Sequence, residues 1–143
     1  MDLELRGRRV LITGASRGIG RAIAQVLAEE GCNLELAARS AEALETAAAE
    51  LRATTGVSVG THAVDLSRSD DQYRLARDCG PVDVLVNSAG ANPHGEIEDI
   101  AEAVWRASWD LKVFGFINLI RLYLPVMKAR GSGVIVNVIG NAG

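Results

Sequence analysis

Thr13-Gly14-Ala15-Ser16-Arg17-Gly18-Ile19-Gly20 is the stretch that decides the fold of this chain. It follows a short apolar run, Val10 to Ile12, and opens a helical pattern, so it predicts a strand, a glycine turn and a helix. At the start of a helix, free backbone N–H groups and the positive end of the dipole both favour anions. Gly14 permits the tight turn, Gly18 lets the backbone approach a phosphate, and Gly20 lets the helix pack close to the strand. The stretch therefore predicts a diphosphate-binding turn, the alternative being an ordinary glycine-rich loop.

Apolar runs and helical patterns alternate along the rest of the chain. Strands are predicted at residues 9–13, 33–38, 57–64, 82–86 and 133–138. Helices are predicted at 18–30, ending at Gly31; from 41 towards Gly56, with Ser40 as the cap; at 67–79; and within 97–130. This alternation is typical of an α/β fold with a parallel sheet, right-handed crossovers and helices on both faces.

The bulk composition fits one domain over residues 1–143. Its 143 residues, 48% of them hydrophobic, suffice for a core, and a net charge of −3 offers no broad basic field for nucleic acid or an anionic membrane. The amino terminus lacks the pattern of a signal peptide, and Asn118 and Arg121 interrupt the longest apolar run. Cys32 and Cys79 form no CxxC pattern and are interpreted as small buried side chains. We expect a cytoplasmic protein without a metal site.

Several separated motifs agree with one known family. The turn at 13–20 matches the pattern TGxxxGIG, and Asp65-Leu66 matches an acidic residue after the third strand. Asn87-Ser88-Ala89-Gly90 is similar to NNAG, with Ser88 in place of the second asparagine. Residues 105–115 resemble the family's central helix and 133–138 its fifth strand. The chain thus resembles the short-chain dehydrogenase/reductase family over essentially its whole length.

The resemblance implies a Rossmann-type, doubly wound parallel sheet of strand order 3-2-1-4-5 that is incomplete at its C-terminal side relative to the family. A dinucleotide would lie across the carboxyl ends of the strands, with Asp65 hydrogen-bonded to adenine. The residues implied to bind the cofactor are Gly14, Ser16, Arg17, Gly18, Ile19, Gly20, Arg39, Asp65, Leu66, Asn87, Ala89 and Gly90.

Charge at the end of the second strand bears on which cofactor is bound. A protein that selects NAD usually has a carboxylate there, which accepts hydrogen bonds from the ribose and repels a 2′-phosphate. Here Ala38 occupies that place, Arg39 follows it, and Arg17 lies in the glycine turn. Guanidinium groups suit phosphate oxygens, so NADP(H) is favoured over NAD(H). In the alternative interpretation, both arginines are solvated surface side chains.

The residues expected to carry the chemistry depart from the family. The resemblance implies hydride transfer between a nicotinamide and a small carbonyl or alcohol, using a serine, an asparagine and a tyrosine–lysine pair in the pattern YxxxK. Neither Tyr73 nor Tyr123 is followed by a lysine at that spacing, and the chain stops at Gly143, before that segment. Gly140 stands at the serine position and Lys112 at the asparagine position. We therefore expect the chain alone to be inactive.

Lys112 is the candidate catalytic residue. Its ammonium could bind an anionic substrate or stabilise a developing oxyanion in the cleft. The alternative is a lysine that extends from a mostly buried helix into solvent. His94 is interpreted as a solvated loop residue and His62, alone on a strand, as structural.

Three functional hypotheses remain open. The first is the cofactor-binding portion of an NADP(H)-dependent oxidoreductase. The second is a catalytically silent NADP(H)-binding module or regulatory partner, which Gly140 and Lys112 favour. The third is a fragment that folds only by association.

The long helix predicts a homo-oligomer through residues 101–130. Two sets of apolar residues cover most of its surface: Val113, Phe116, Ile117, Ile120 and Leu124 on one face, and Leu111, Phe114, Leu119, Leu122 and Val126 around the rest. Such a helix must be buried on more than one side, and the sheet covers only one. Trp105 and Trp109, which share a face, are assigned to core or interface packing.

Overall fold

A parallel sheet of order β3-β2-β1-β4-β5 organises the computed structural model, which describes residues 3–140. The strands are β1 (Arg9–Thr13), β2 (Asn33–Ala38), β3 (Val59–Ala63), β4 (Val84–Asn87) and β5 (Val134–Asn137). The helices are α1 (Gly18–Glu29), α2 (Ala41–Thr55), α3 (Ser69–Cys79), α4 (Glu102–Trp109) and α5 (Gly115–Arg130). This order confirms the predicted Rossmann-type fold.

Each face of the sheet carries its own apolar core, because alternate strand residues point to opposite faces. Val10, Ile12 and Leu36 pack with α1 and α2, while Leu11 and Leu85 pack with α3 and α5. The two cysteines are free and buried, as predicted.

Local signals set most of the element ends correctly. The Ser40 hydroxyl accepts the N–H of Ala43 and caps α2, which ends at Gly56 in the left-handed conformation. The start of α3 was predicted two residues early: the Asp65 carboxylate accepts both the N–H and the hydroxyl of Ser67, so this segment forms a turn first. The strands β3, β4 and β5 also differ from the predicted ends by one or two residues.

The long helix consists of α4 and α5 joined by a π turn at Asp110–Phe114, in which the N–H of Gly115 donates to the carbonyl of Asp110. The predicted division into faces was wrong: the buried face consists of Gly115, Phe116, Leu119, Tyr123 and Met127. Leu119, Tyr123 and Met127 pack with apolar residues of the sheet and of α3, which decides the buried side of α5. The exposed large apolar residues of this region are Phe114, Ile117, Leu124 and Val126, together with Val104, Trp105 and Trp109 on α4. Neither tryptophan lies in the core, and no described helix is long and apolar enough to cross a bilayer.

A polar cluster lies between the sheet and α3. Arg9 forms an ion pair with one oxygen of Glu35, and Nε2 of His62 lies 2.7 Å from the other. The sequence pattern had indicated that His62 is alone on its strand, but in the structure it pairs with Glu35. A Cβ on Gly60 would overlap the Glu35 carboxylate, so this glycine makes room for the cluster. Contacts with the Cys79 thiol and with Glu35 raise the pKa of His62 from 6.5 to about 9.

We predict that His62 makes stability depend on pH in the alkaline range. Because its pKa is higher in the folded protein, the contribution of the imidazolium is complete below 6.5 and is lost as the pH rises through about 9. His62→Gln should lower the free energy of unfolding at neutral pH by about 1.5–3 kcal/mol, the range for a hydrogen bond to a charged group. Urea titrations across this pH range should show the difference from wild type shrinking as the pH increases. The exposed His94→Gln is the control; a difference that stays constant with pH would contradict the prediction.

Candidate functional site

A cleft of about 860 Å³ opens at the carboxyl ends of the strands. Most of the residues predicted to bind a cofactor line it: Gly14, Ser16, Arg17, Gly18, Ile19, Gly20, Arg39, Leu66, Ala89 and Gly90. The other side of the cleft is formed by residues from the loop after β4, from the π turn and from the end of β5, including Asn92, Lys112 and Gly140. The fold therefore gathers in one place residues that are far apart in sequence.

The glycine turn is held by close backbone contacts. Gly14 has φ +67° and a Cβ there would lie 2.8 Å from Cα of Ala89, so the turn rests directly on the loop after β4. A Cβ on Gly20 would overlap the carbonyl oxygen of Gly14, as expected for a helix packed tightly against its preceding strand. Gly18 has φ +57°, and the space beside it is open.

These features fit the phosphates of a dinucleotide. The open side of Gly18 lets a phosphate reach the backbone without meeting a side chain. No side chain caps the amino end of α1, and its first turn has no acidic residue. The N–H groups at that end are therefore available for an anion.

Thr13, the last residue of β1, is a site residue that the sequence reasoning missed. Its side chain is buried, and Oγ1 accepts the N–H groups of Ser88 and Ala89, each at 3.0 Å. The hydroxyl thus fixes the loop after β4 against the glycine turn. The signal was a polar residue at the end of an otherwise apolar strand, directly before the turn.

The charged side chains that line the cleft are all cationic: Arg17, Arg39 and Lys112. Ala38, at the end of β2, places no carboxylate beside the two arginines. Asp65 lies near Arg39 but does not line the cleft. Its hydrogen bonds with Ser67, together with the nearby charge of Arg39, lower the pKa of this carboxyl.

Asn87 is the remaining residue that the resemblance implies to bind the cofactor. It is fully buried and does not line the cleft. Its Nδ2 donates to Oδ1 of Asn137 at 2.9 Å, so the side chain connects β4 to β5. Oδ1 of Asn87 has no hydrogen-bond partner among residues 3–140.

Neither tyrosine reaches the cleft. Tyr73 is exposed on α3. Tyr123 lies on the buried face of α5, and burial raises the pKa of its hydroxyl above the ordinary value. His94 lies exposed in the loop after β4. Lys112 lines the cleft, and its hydrogen bond to Asn92 is exposed to solvent.

Among the described residues, donor atoms of Glu35, His62 and Cys79 lie within 4.8 Å of one another, close enough for a metal ion. One observation speaks against a metal there: Arg9 already forms an ion pair with one oxygen of Glu35. We interpret the cluster as a hydrogen-bonded ion pair that stabilises the fold.

Comparisons with known proteins agree with this geometry. A family model described as short chain dehydrogenase matches residues 8–143. An uncharacterized oxidoreductase from Bacillus subtilis is 32% identical over 100% of this chain and 55% of its own length. A 3-dehydrosphinganine reductase from Arabidopsis thaliana is 34% identical over 91% of this chain and 40% of its own.

Solved structures show the same fold. The L-sorbose reductase from Gluconobacter frateurii, complexed with NADPH and L-sorbose, has a TM-score of 0.87 at 36% identity, over 96% of this chain and 54% of that one. A metagenomic short-chain oxidoreductase in complex with NADP also has a TM-score of 0.87 at 36% identity, over 96% of this chain and 64% of that one. The chain spans about half the length of the curated relatives it matches. From its sheet order, its glycine turn and the match over residues 8–143, we conclude that the chain belongs to the short-chain dehydrogenase family.

Proposed function

We propose that this chain is the cofactor-binding portion of an NADP(H)-dependent oxidoreductase that transfers hydride between a nicotinamide and a small carbonyl or alcohol. The observation that carries the proposal is the pair Arg17 and Arg39, which line the cleft together with the glycine turn and without an acidic residue. Relatives of known structure that were solved with NADPH or NADP support it.

Most parts of the cofactor have a counterpart in the cleft. The N–H groups of α1 and the open side of Gly18 would hold the diphosphate, and Arg17 and Arg39 the 2′-phosphate. Asp65 lies outside the lining and would have to reach adenine from beside the cleft, through the carboxylate oxygen that Ser67 leaves free. A bound nicotinamide would supply or accept the hydride.

Among the described residues, the serine, asparagine and tyrosine–lysine pair that the resemblance implies for proton transfer are not found at their expected positions. Gly140 has no hydroxyl, and the two tyrosines lie elsewhere. We propose that the chain alone binds cofactor without turning over ketones, which absorbance of NADPH in the presence of a ketone panel tests. The second candidate, a silent NADP(H)-binding module, rests on the same two positions, Gly140 and Lys112, and predicts that a longer chain would also be inactive.

Cofactor choice should reverse when Arg39 is changed. We predict that NADPH binds more tightly than NADH by about tenfold or more, because two charge-assisted contacts recognise the 2′-phosphate. Arg39→Asp should favour NADH, since a carboxylate repels that phosphate and accepts hydrogen bonds from a free ribose. Calorimetric titration with both cofactors measures the two affinities. Arg8→Asp, an equal charge change before β1, is the control, and equal wild-type affinities would refute the assignment.

Gly18 provides a test of where the phosphates bind. Gly18 and Gly56 both have positive φ and open space at the Cβ position, but only Gly18 lines the cleft. Gly18→Ala and Gly56→Ala should therefore cost similar stability, about 1–2 kcal/mol each. Only Gly18→Ala should weaken NADPH binding, by tenfold or more, because its methyl group meets the diphosphate. If neither substitution weakens NADPH binding, the phosphates bind elsewhere.

We further propose that the exposed apolar face of α4 and α5 is covered by a second copy of this chain. Phe114, Ile117 and Leu124 are 52%, 44% and 41% exposed, and Trp109 is 58% exposed on the preceding helix. Apolar side chains that recur along one helix face are typical of an interface. A two-fold axis would place the same face of both copies in contact.

Sedimentation at low micromolar concentration should show a dimer or higher oligomer rather than a monomer. Ile117→Glu should shift the population to monomer, because it places a charge in an apolar contact. Arg8→Glu, at an exposed position before β1 and away from this helix, serves as the control for the added charge. A monomeric wild type at this concentration would contradict the proposal.

A further inference from the structure

Lys112 lies at the β4–β5 end of the cleft, in the π turn that joins α4 to α5. Its Cδ and Cε pass over Gly90, each 3.8 Å from where a Cβ of that glycine would be. Its Nζ lies 3.3 Å from the corresponding Cβ position of Gly140. The glycine at 140 therefore leaves the space beside the ammonium to a ligand.

The ammonium has little compensation from the protein. Its hydrogen bond is to Oδ1 of Asn92, a neutral acceptor, at 3.3 Å. No ion pair found within residues 3–140 includes Lys112. The ammonium is open to solvent in the cleft and has one neutral partner, so an anionic group that enters the cleft can pair with it.

The phosphates of the cofactor have their own counterparts at the other end of the cleft. Arg17 and Arg39 lie there with the amino end of α1, whereas Lys112 is beside Gly90 and Gly140. An oxidised nicotinamide at the β4–β5 end would add a second positive charge near Lys112. An anionic group on the substrate would offset both positive charges, whereas a neutral substrate would offset neither.

We propose that Lys112 binds a carboxylate of the substrate, so that the enzyme acts on oxo acids or hydroxy acids rather than on neutral ketones or alcohols. Lys112 is thus a substrate-binding residue that selects for charge. This inference rests on the proposed function, since it assumes that a nicotinamide occupies the cleft.

The test measures binding without turnover. The chain is saturated with NADP⁺, which cannot reduce a ketone, and is titrated by calorimetry with pyruvate, levulinate and the methyl ester of each. We expect at least one acid to bind about tenfold more tightly than its ester, as a charge-assisted hydrogen bond would give. Lys112→Gln should abolish this preference and leave NADP⁺ affinity within about twofold of wild type. Lys128→Gln, which changes the other lysine of the chain at an exposed position on α5, should retain the preference.

Gly140→Asp is an independent variant, in case Lys112→Gln does not fold. Its carboxylate would lie beside Nζ, pair with Lys112 and abolish the preference for the acid.

A preference that survives in the folded variants overturns the inference, as does equal or absent binding of acids and esters to the wild type. Equal weakening of acid and ester by Lys112→Gln also overturns it, because the ammonium would then act on the carbonyl. If NADP⁺ does not bind to the wild type, the proposed function falls, and this inference with it; if it binds without any preference for the acid, only this inference fails.

Discussion

The contact between the glycine turn and the loop after β4 is the constraint on which the site depends. Gly14 approaches the backbone of Ala89 so closely that no side chain fits between them, and the Thr13 hydroxyl accepts two N–H groups of the same loop. These interactions fix both loops at the carboxyl ends of β1 and β4, which are adjacent strands. Because the order of strands reverses between β1 and β4, a cleft opens there. A looser contact at Gly14 would separate the two walls of that cleft.

Electrostatics then determine what the cleft can hold. Within residues 3–140, the charged side chains that line the cleft are all cationic. Asp65 lies outside the lining, and one of its carboxylate oxygens accepts hydrogen bonds from Ser67. In a concave site of this kind, charges of one sign reinforce one another and attract a ligand of the opposite sign. The two ends differ, with two planar guanidinium groups at one and a single ammonium at the other, so a ligand with several anionic groups has a defined orientation.

The π turn connects the site to the molecular surface. It places Leu111 and Lys112 in the lining of the cleft. Directly after it, Gly115 packs so closely that an added Cβ would lie 3.0 Å from the carbonyl oxygen of Leu66. Phe114, in the same turn, and Ile117, in the next turn of the helix, lie on the outer side and are exposed. This segment therefore contributes both to the cleft and to the uncovered apolar surface.

The sequence by itself determined the fold, the strand order through its family motifs, and nearly all of the cleft lining at the glycine turn. These features depend on local signals: apolar periodicity, caps such as Ser40, and glycines whose spacing follows from a turn. Only the tertiary structure decided the role of Thr13, the pairing of His62 with Glu35, the position of Asn87 between β4 and β5, and which face of α5 is buried. Each of these depends on contacts between residues that are distant in sequence. Residue spacing along the chain does not record such contacts, since they arise only when the strands are aligned side by side.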